Sequence, residues 1–207
     1  MSNKVAGVIG GLDSYSGEDL AKIARETYGA TDSITPEQLA LLMDYLVPSS
    51  YIIRNHRIKN GKQRFTFSVP NYGDNIPSKA FSHRPWQKQV VNDISNDLVV
   101  IKSRQLGLSE INVAFMLWWV DSHSYAGVNA LYTFPTYRQM QDFVKMRLNP
   151  ILEGVPYFKS IVDPNMNSID SKKIRNSFLT FRTSSKPGSV EGINADAVFL
   201  DRQTCPL

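Results

Sequence analysis

The sequence predicts an α/β fold: a mostly parallel sheet covered by helices, preceded by a small α+β region. Three observations carry this. From about residue 81 onward, short apolar runs alternate with helical periods, which is the pattern of strands joined by crossover helices. A polar, glycine-containing loop sits between one such run and the helix after it. Before residue 80 the rhythm differs, with helical periods followed by alternating apolar residues.

Chain length and composition bound the answer. The 207 residues suffice for one well-buried domain, or for a domain with an appendage. Apolar residues make up 42% and charged residues 20%, the balance of an ordinary globular protein. The longest apolar run, Phe115 to Val120, is far short of the ~20 residues a membrane helix needs, so no membrane association is expected. The start Met1-Ser2-Asn3-Lys4 does not resemble a signal peptide, which points to a cytoplasm. The single cysteine, Cys205, excludes an internal disulfide, and His56, His83 and His123 are too scattered to suggest zinc. A net charge of +4 is a mild bias toward anionic partners.

Residues 1–80 form the first expected region. Ser16 and Asp19 open a helix with Leu20, Ile23, Ala24 and Tyr28 on one face. Thr35-Pro36-Glu37-Gln38 starts a second, with Leu39, Leu42, Met43 and Leu46 on one face and Pro48 as its stop. A hairpin is then expected, with strands Tyr51 to Arg57 and Arg64 to Val69 joined through Asn60-Gly61. Residues 70 to 82, with Pro70, Gly73 and Pro77, read as a linker.

The second region spans residues 81–201. A short helix from Pro85 precedes a strand from Leu98 to Lys102. A helix from Ser109 to Asp121, a strand from Val128 to Phe134 and a helix from Thr136 to about Leu152 follow. Phe178 to Thr183 and Ala195 to Asp201 complete the expected strands.

The chemistry centres on Lys102-Ser103-Arg104-Gln105-Leu106-Gly107-Leu108-Ser109. A loop between a strand and a helix start aims backbone N–H groups at an anion. The usual phosphate loop reads G-x-x-x-x-G-K-[ST]. Here Gly107 and Ser109 fit its end, Leu108 holds the lysine position and Ser103 the first glycine position. In isolation a tight strand-to-helix turn with Ser109 as helix N-cap is the favoured explanation of the segment. Lys102 and Arg104, however, could reach phosphates from the start of the loop.

Other motifs accompany it in order. Arg84-Pro85-Trp86-Gln87 precedes a helix, and a Gln87 amide can both donate to and accept from an adenine edge. The alternative is an amphipathic helix with Trp86 and Val90 in the core. Pro135-Thr136-Tyr137-Arg138-Gln139 follows a strand, where ligands of parallel sheets bind; the alternative for Thr136 is a helix cap. A polar loop, Ser184 to Gly192, leads into Ala195-Asp196-Ala197-Val198-Phe199-Leu200-Asp201, an apolar strand ending in an acid, the Walker B pattern.

Together these segments resemble the ATPase domain of tailed-phage large terminases, over about residues 81 to 201. That family often reads a basic residue, then R-Q-x-G-x-S, in its phosphate loop, as Lys102 to Ser109 does. The resemblance implies a P-loop NTPase-type fold with ATP and Mg²⁺ as ligands. Lys102 would contact phosphates, Arg104 would be a second phosphate or sensor contact, and Ser109 and Asp201 would ligate Mg²⁺. It also implies a DNA-packaging motor that works on double-stranded DNA with a portal protein and a small terminase subunit. The intact motor would form a homo-oligomeric ring in the host cell cytoplasm. The hairpin cations Arg54, Arg57, Lys59, Lys62 and Arg64 are a candidate DNA contact, with a solvated surface as the alternative.

The pattern breaks after Asp201. The family places a catalytic glutamate where Arg202 stands, and a guanidinium cannot act as a base near neutral pH. No intact catalytic residue is therefore assigned. Residues 202–207 read as an atypical tail, and the sheet strands, coupling motif and nuclease domain of the family do not follow. The Walker B strand would then lack a neighbour, and an unpaired apolar edge invites association. Two other readings stay open: a different P-loop DNA motor such as a helicase, and a degenerate nucleotide-binding or assembly domain without turnover.

Overall fold

The computed structural model describes residue 22 and residues 36–58, 86–94, 98–100, 107–185, 188 and 190–200. The chain divides into two compact units, Met1–Arg54 with Phe65–Leu106, and Asn55–Arg64 with Gly107–Leu207.

In the first unit, α1 (Pro36–Leu46) follows the expected period: Leu42 and Leu46 are buried together with Val47, and Met43 packs against them. Pro48 ends that helix as expected, but it also begins another. The segment expected as a strand from Tyr51 to Arg57 is instead mostly helical, α2 (Pro48–Asn55). The burial pattern gives the reason. Pro48, Ser49, Tyr51 and Ile52 are all buried, a spacing that lies on one side of a helix but would be split between the two faces of a strand. Pro48 at the first helical position has the right φ and needs no partner for an N–H. Arg54 of α2 pairs with Asp44 of α1 at 3.4 Å. The second half of the expected hairpin, Arg64 to Val69, lies outside the described residues, as do Leu20, Ile23, Ala24 and Tyr28.

The helix α3 (Trp86–Asn92) appears where Pro85 announced it. Among its described side chains Gln87 and Val91 are buried, and Val90 is only half-buried. Asn92 Oδ1 accepts a hydrogen bond from the Ser49 N–H at 3.0 Å and so ties α3 to the first turn of α2. Leu98, Val99 and Val100 do not form the expected strand; they are exposed, with Val99 at 86%. The last two residues of the expected strand, Ile101 and Lys102, lie outside the described residues.

The second unit carries that sheet. Its elements are α4 (Leu108–Ser122), a 3-10 turn (Ser124–Ala126), β1 (Asn129–Phe134) and α5 (Tyr137–Phe143). A π-helical segment (Val144–Leu148), α6 (Asn149–Gly154) and α7 (Pro156–Ile161) continue the chain. Then come β2 (Val162–Asn167), β3 (Ser171–Ile174), β4 (Ser177–Thr183) and β5 (Ala197–Leu200). The strand order is β2-β3-β4-β1-β5. β1 runs parallel to β4 and to β5, whereas β2–β3 and β3–β4 are antiparallel. The sheet is therefore mixed, not mostly parallel. The expected α/β class holds, and the difference comes from the β2–β3 pair, which adds an antiparallel edge outside β4. Residues 162–175 hide this from a pattern reading because they hold few apolar residues and a proline, Pro164, which suits only an edge strand.

One face of the sheet forms the core. Tyr132 and Phe134 of β1 share that face, and register pairs Tyr132 with Phe181 and with Phe199. Phe143 of α5 lies 4.7 Å from Tyr132 and 4.9 Å from Phe134, ring to ring. Phe115 of α4 meets Phe199 at 6.0 Å, and Asn112 donates to the buried Tyr132 hydroxyl at 2.9 Å. Helices α4 and α5 thus cover the same face. On the opposite face, Leu131 and Thr133 are buried, but Val198 and Leu200 of the edge strand β5 are 56% and 59% exposed.

Candidate functional site

The direction of α4 decides at which edge of the sheet its first turn lies. Its last turn carries Asp121, which accepts a 2.6 Å hydrogen bond from Arg175 Nε in the β3–β4 turn. That turn lies beside the beginning of β4. A 15-residue helix is about 20 Å long, close to the length of a six-residue strand. The other end of α4 therefore reaches the opposite edge, where β1 ends at Phe134, β4 at Thr183 and β5 at Leu200. In parallel sheets this carboxyl edge is where ligands bind.

Gly107 makes the turn into α4. It adopts φ 76° and ψ 12°, a left-handed conformation that costs glycine little and other residues more. Its carbonyl accepts from the Glu110 and Ile111 N–H groups, both at 3.2 Å. Ser109 is thus not the N-cap; it is the second helical residue, and it is buried at 9% exposure. The earliest N–H groups of a helix lack partners within it, and together with the helix dipole they favour an anion.

Around this start lie further groups of the same unit. Thr136 caps α5, its hydroxyl accepting from the Gln139 N–H at 3.3 Å, so the capping alternative for Thr136 is the one realised. Thr136, Tyr137, Arg138 and Gln139 are all exposed at the end of β1. The Ser184 N–H closes the neighbouring strand end on the Phe134 carbonyl at 2.8 Å. Glu110, in the first turn of α4, pairs with Arg147 of the π segment at 3.2 Å. This ion pair was not foreseen. A signal existed, since Arg147 lies seven residues after Met140 on the stripe otherwise made of Met140, Phe143, Val144, Leu148 and Ile151, all buried.

Of the residues singled out from sequence, Gly107, Leu108 and Ser109 fall at this edge. Gln87 is buried in the first unit. Lys102, Ser103, Arg104, Gln105, Leu106, Arg84, Asp201 and Arg202 lie outside the described residues. Asp196, in the approach to β5, has a structural role at the opposite edge. Its Oδ2 accepts from the Asn129 N–H at 2.8 Å, while the Asn129 side chain bonds the Asn194 carbonyl and the Thr180 hydroxyl.

That same far edge holds an electrostatic cluster. Tyr157 donates to Asp121 Oδ2 at 2.6 Å, and Arg175 approaches the Tyr157 hydroxyl at 3.4 Å. Burial, reinforced by Asp121, pushes the Tyr157 phenol up to about 12. The Arg175 guanidinium is held above its usual value, first by its hydrogen bond with Tyr157 and then by Asp121. Burial lowers His123, whose Nδ1 lies 2.7 Å from the Trp119 carbonyl. Burial also lowers Lys172, against a weaker upward pull from Glu153. These groups fasten the base of α4 and the outer strands, away from the glycine turn.

No helix among the described residues is long and apolar enough to cross a membrane. Comparison with curated proteins and with solved structures returned no match. Residues 78–204, more than half of the chain, match the family described as phage terminase large subunit gpA, ATPase domain. The match runs past Asp201, where the sequence resemblance was expected to end. On this match the chain belongs to the family of phage terminase large subunit ATPase domains.

Proposed function

We propose that this domain binds Mg²⁺-ATP at the carboxyl edge of β1, β4 and β5 and, within an intact terminase, uses its hydrolysis to drive double-stranded DNA into a procapsid. The observation that carries the reading is the left-handed Gly107 opening α4 at that edge, with Ser109 buried in the first helical turn. This is the backbone form that lets amides face a phosphate. In this reading Lys102 and Arg104 contact phosphates, and Ser109 and Asp201 hold the magnesium ion. Gln87 and Arg84 serve the adenine side. The portal protein and the small terminase subunit are the expected partners, with the intact motor working as a ring in the host cytoplasm.

Arg202 favours a second reading, nucleotide binding without turnover, because it stands where a glutamate would orient the attacking water. One experiment addresses both. A fluorescent ATP analogue is titrated with Mg²⁺ into the chain and into Lys102→Ala, and phosphate release is followed in parallel. Binding that is lost in the variant supports the phosphate-loop assignment. Absence of binding to the unaltered chain overturns it. Phosphate release above background discards the reading without turnover.

A further inference from the structure

The ion pair between Glu110 and Arg147 lies at the entrance to the candidate phosphate site, and its charges matter there. Glu110 is the third helical residue of α4, directly after Ser109. Side chains lean toward the N-terminus of their helix, so its carboxylate leans toward the same partial positive charge that would attract a phosphate. An unscreened carboxylate in that position competes with the polyphosphate and repels it. The position before Ser109, where phosphate loops usually carry their lysine, holds Leu108 and so adds no charge at the start of α4 to offset this repulsion.

Arg147 supplies a cation from another element. Its guanidinium lies 3.2 Å from Glu110 Oε1; the Glu110 side chain is 15% exposed and that of Arg147 is 35% exposed. It occupies the apolar stripe of its helix, where a charge is costly unless a partner compensates it. It also lies in a π-helical segment, Val144–Leu148, a distortion that occurs frequently at functional sites.

We propose that Arg147 is a positioning residue that acts through Glu110. By neutralising and holding the Glu110 carboxylate it leaves the start of α4 open to a nucleoside triphosphate. This rests on the Mg²⁺-ATP reading above and adds a residue to it.

The test is a titration of the full chain and its variants with the fluorescent Mg²⁺-ATP analogue at low ionic strength, with a thermal melt of each protein. Arg147→Ala is expected to weaken binding about tenfold, and Mg²⁺-ADP, with less charge, is expected to lose less. Adding Glu110→Gln to Arg147→Ala removes the exposed charge and is expected to restore binding to within about threefold. Arg147→Lys keeps the cation and most of the affinity. A pair that only braces the helices gives another result: the double variant binds as weakly as Arg147→Ala. That result, or unchanged binding by Arg147→Ala, overturns the proposal while leaving the nucleotide site standing. If Arg147→Ala does not fold, Glu110→Gln alone decides: tighter binding supports the proposal and weaker binding overturns it. No binding by the unaltered chain overturns this proposal and the nucleotide reading together.

Discussion

Asp121 and Arg175 are joined by a 2.6 Å hydrogen bond between the last turn of α4 and the turn connecting β3 to β4. Arg175 holds φ 50° to make that turn, and its N–H donates to the Ile161 carbonyl at the end of α7. Asp121 is buried and accepts from Tyr157 as well. Three elements distant in sequence are therefore fastened at one point, and that point sets which way α4 runs along the sheet.

Removing the cation leaves a buried carboxylate with less compensation. Arg175→Ala is expected to destabilise the fold by about 2 kcal/mol, measured by urea unfolding at neutral pH. A midpoint unchanged from the unaltered chain would show that the bond contributes nothing.

Gly107 is a position where a Cβ has a direct cost. Gly107→Ala forces alanine into a left-handed backbone, at about 1 kcal/mol of strain. The strain falls on the turn at the candidate phosphate site, so the loss of nucleotide affinity is expected to exceed the loss of stability. Isothermal titration set beside thermal melts reads both. An equal effect on each would make the turn a structural device only.

His123 makes the fold sensitive to mild acid. Burial lowers its pKa in the folded chain, so the unfolded chain binds the proton more readily. Stability is then highest above the ordinary histidine value of about 6.5 and declines as pH falls through it toward the lowered folded value. The ring stacks on Trp119 at 5.0 Å, which His123→Phe can keep. The melting temperature of the unaltered chain should fall between pH 7.5 and 5.5 more steeply than that of His123→Phe. Parallel slopes would remove His123 from the account.

Tyr132 tests the seam between α4 and the sheet. It is fully buried, and its hydroxyl accepts from Asn112 Nδ2. Tyr132→Phe leaves the Asn112 donor without that acceptor and is expected to cost about 1 kcal/mol by chemical denaturation. Adding Asn112→Leu should recover part of that loss. Failure to recover it would mean Asn112 has a water or another partner in place of the hydroxyl.

The sequence revealed those parts of the fold whose signals are local. α1 was legible from Thr35-Pro36 and the spacing of Leu42 and Leu46, and α4, β1 and β4 from apolar runs bounded by glycine or polar turns. The segment from 48 to 55 misled because Tyr51, Ile52 and Ile53 are residues that favour strands, while Pro48 and burial on one side made it a helix. β2 escaped because an edge strand needs little apolar surface, and β3, although it lies between β2 and β4, because Ile174 is its one apolar residue. Of the candidate site, Gly107 and Ser109 were legible from their spacing. The pairing of Glu110 with Arg147 was only half legible: the apolar stripe marks Arg147 as a cation in need of a partner, but no local pattern says which side chain meets it.

By itself the sequence determined the order of motifs, the glycine at the start of α4, the leucine in the lysine position and the family to which those residues point. Periodicity and short motifs are written in neighbouring residues, so they survive without a structure. Only the tertiary structure decided that the sheet is mixed, that α4 is fastened at Asp121 with its first turn at the carboxyl edge, and that Arg147 meets Glu110 there. Each of these depends on contacts between residues far apart in the chain, and such contacts are set by packing and burial, not by local preference.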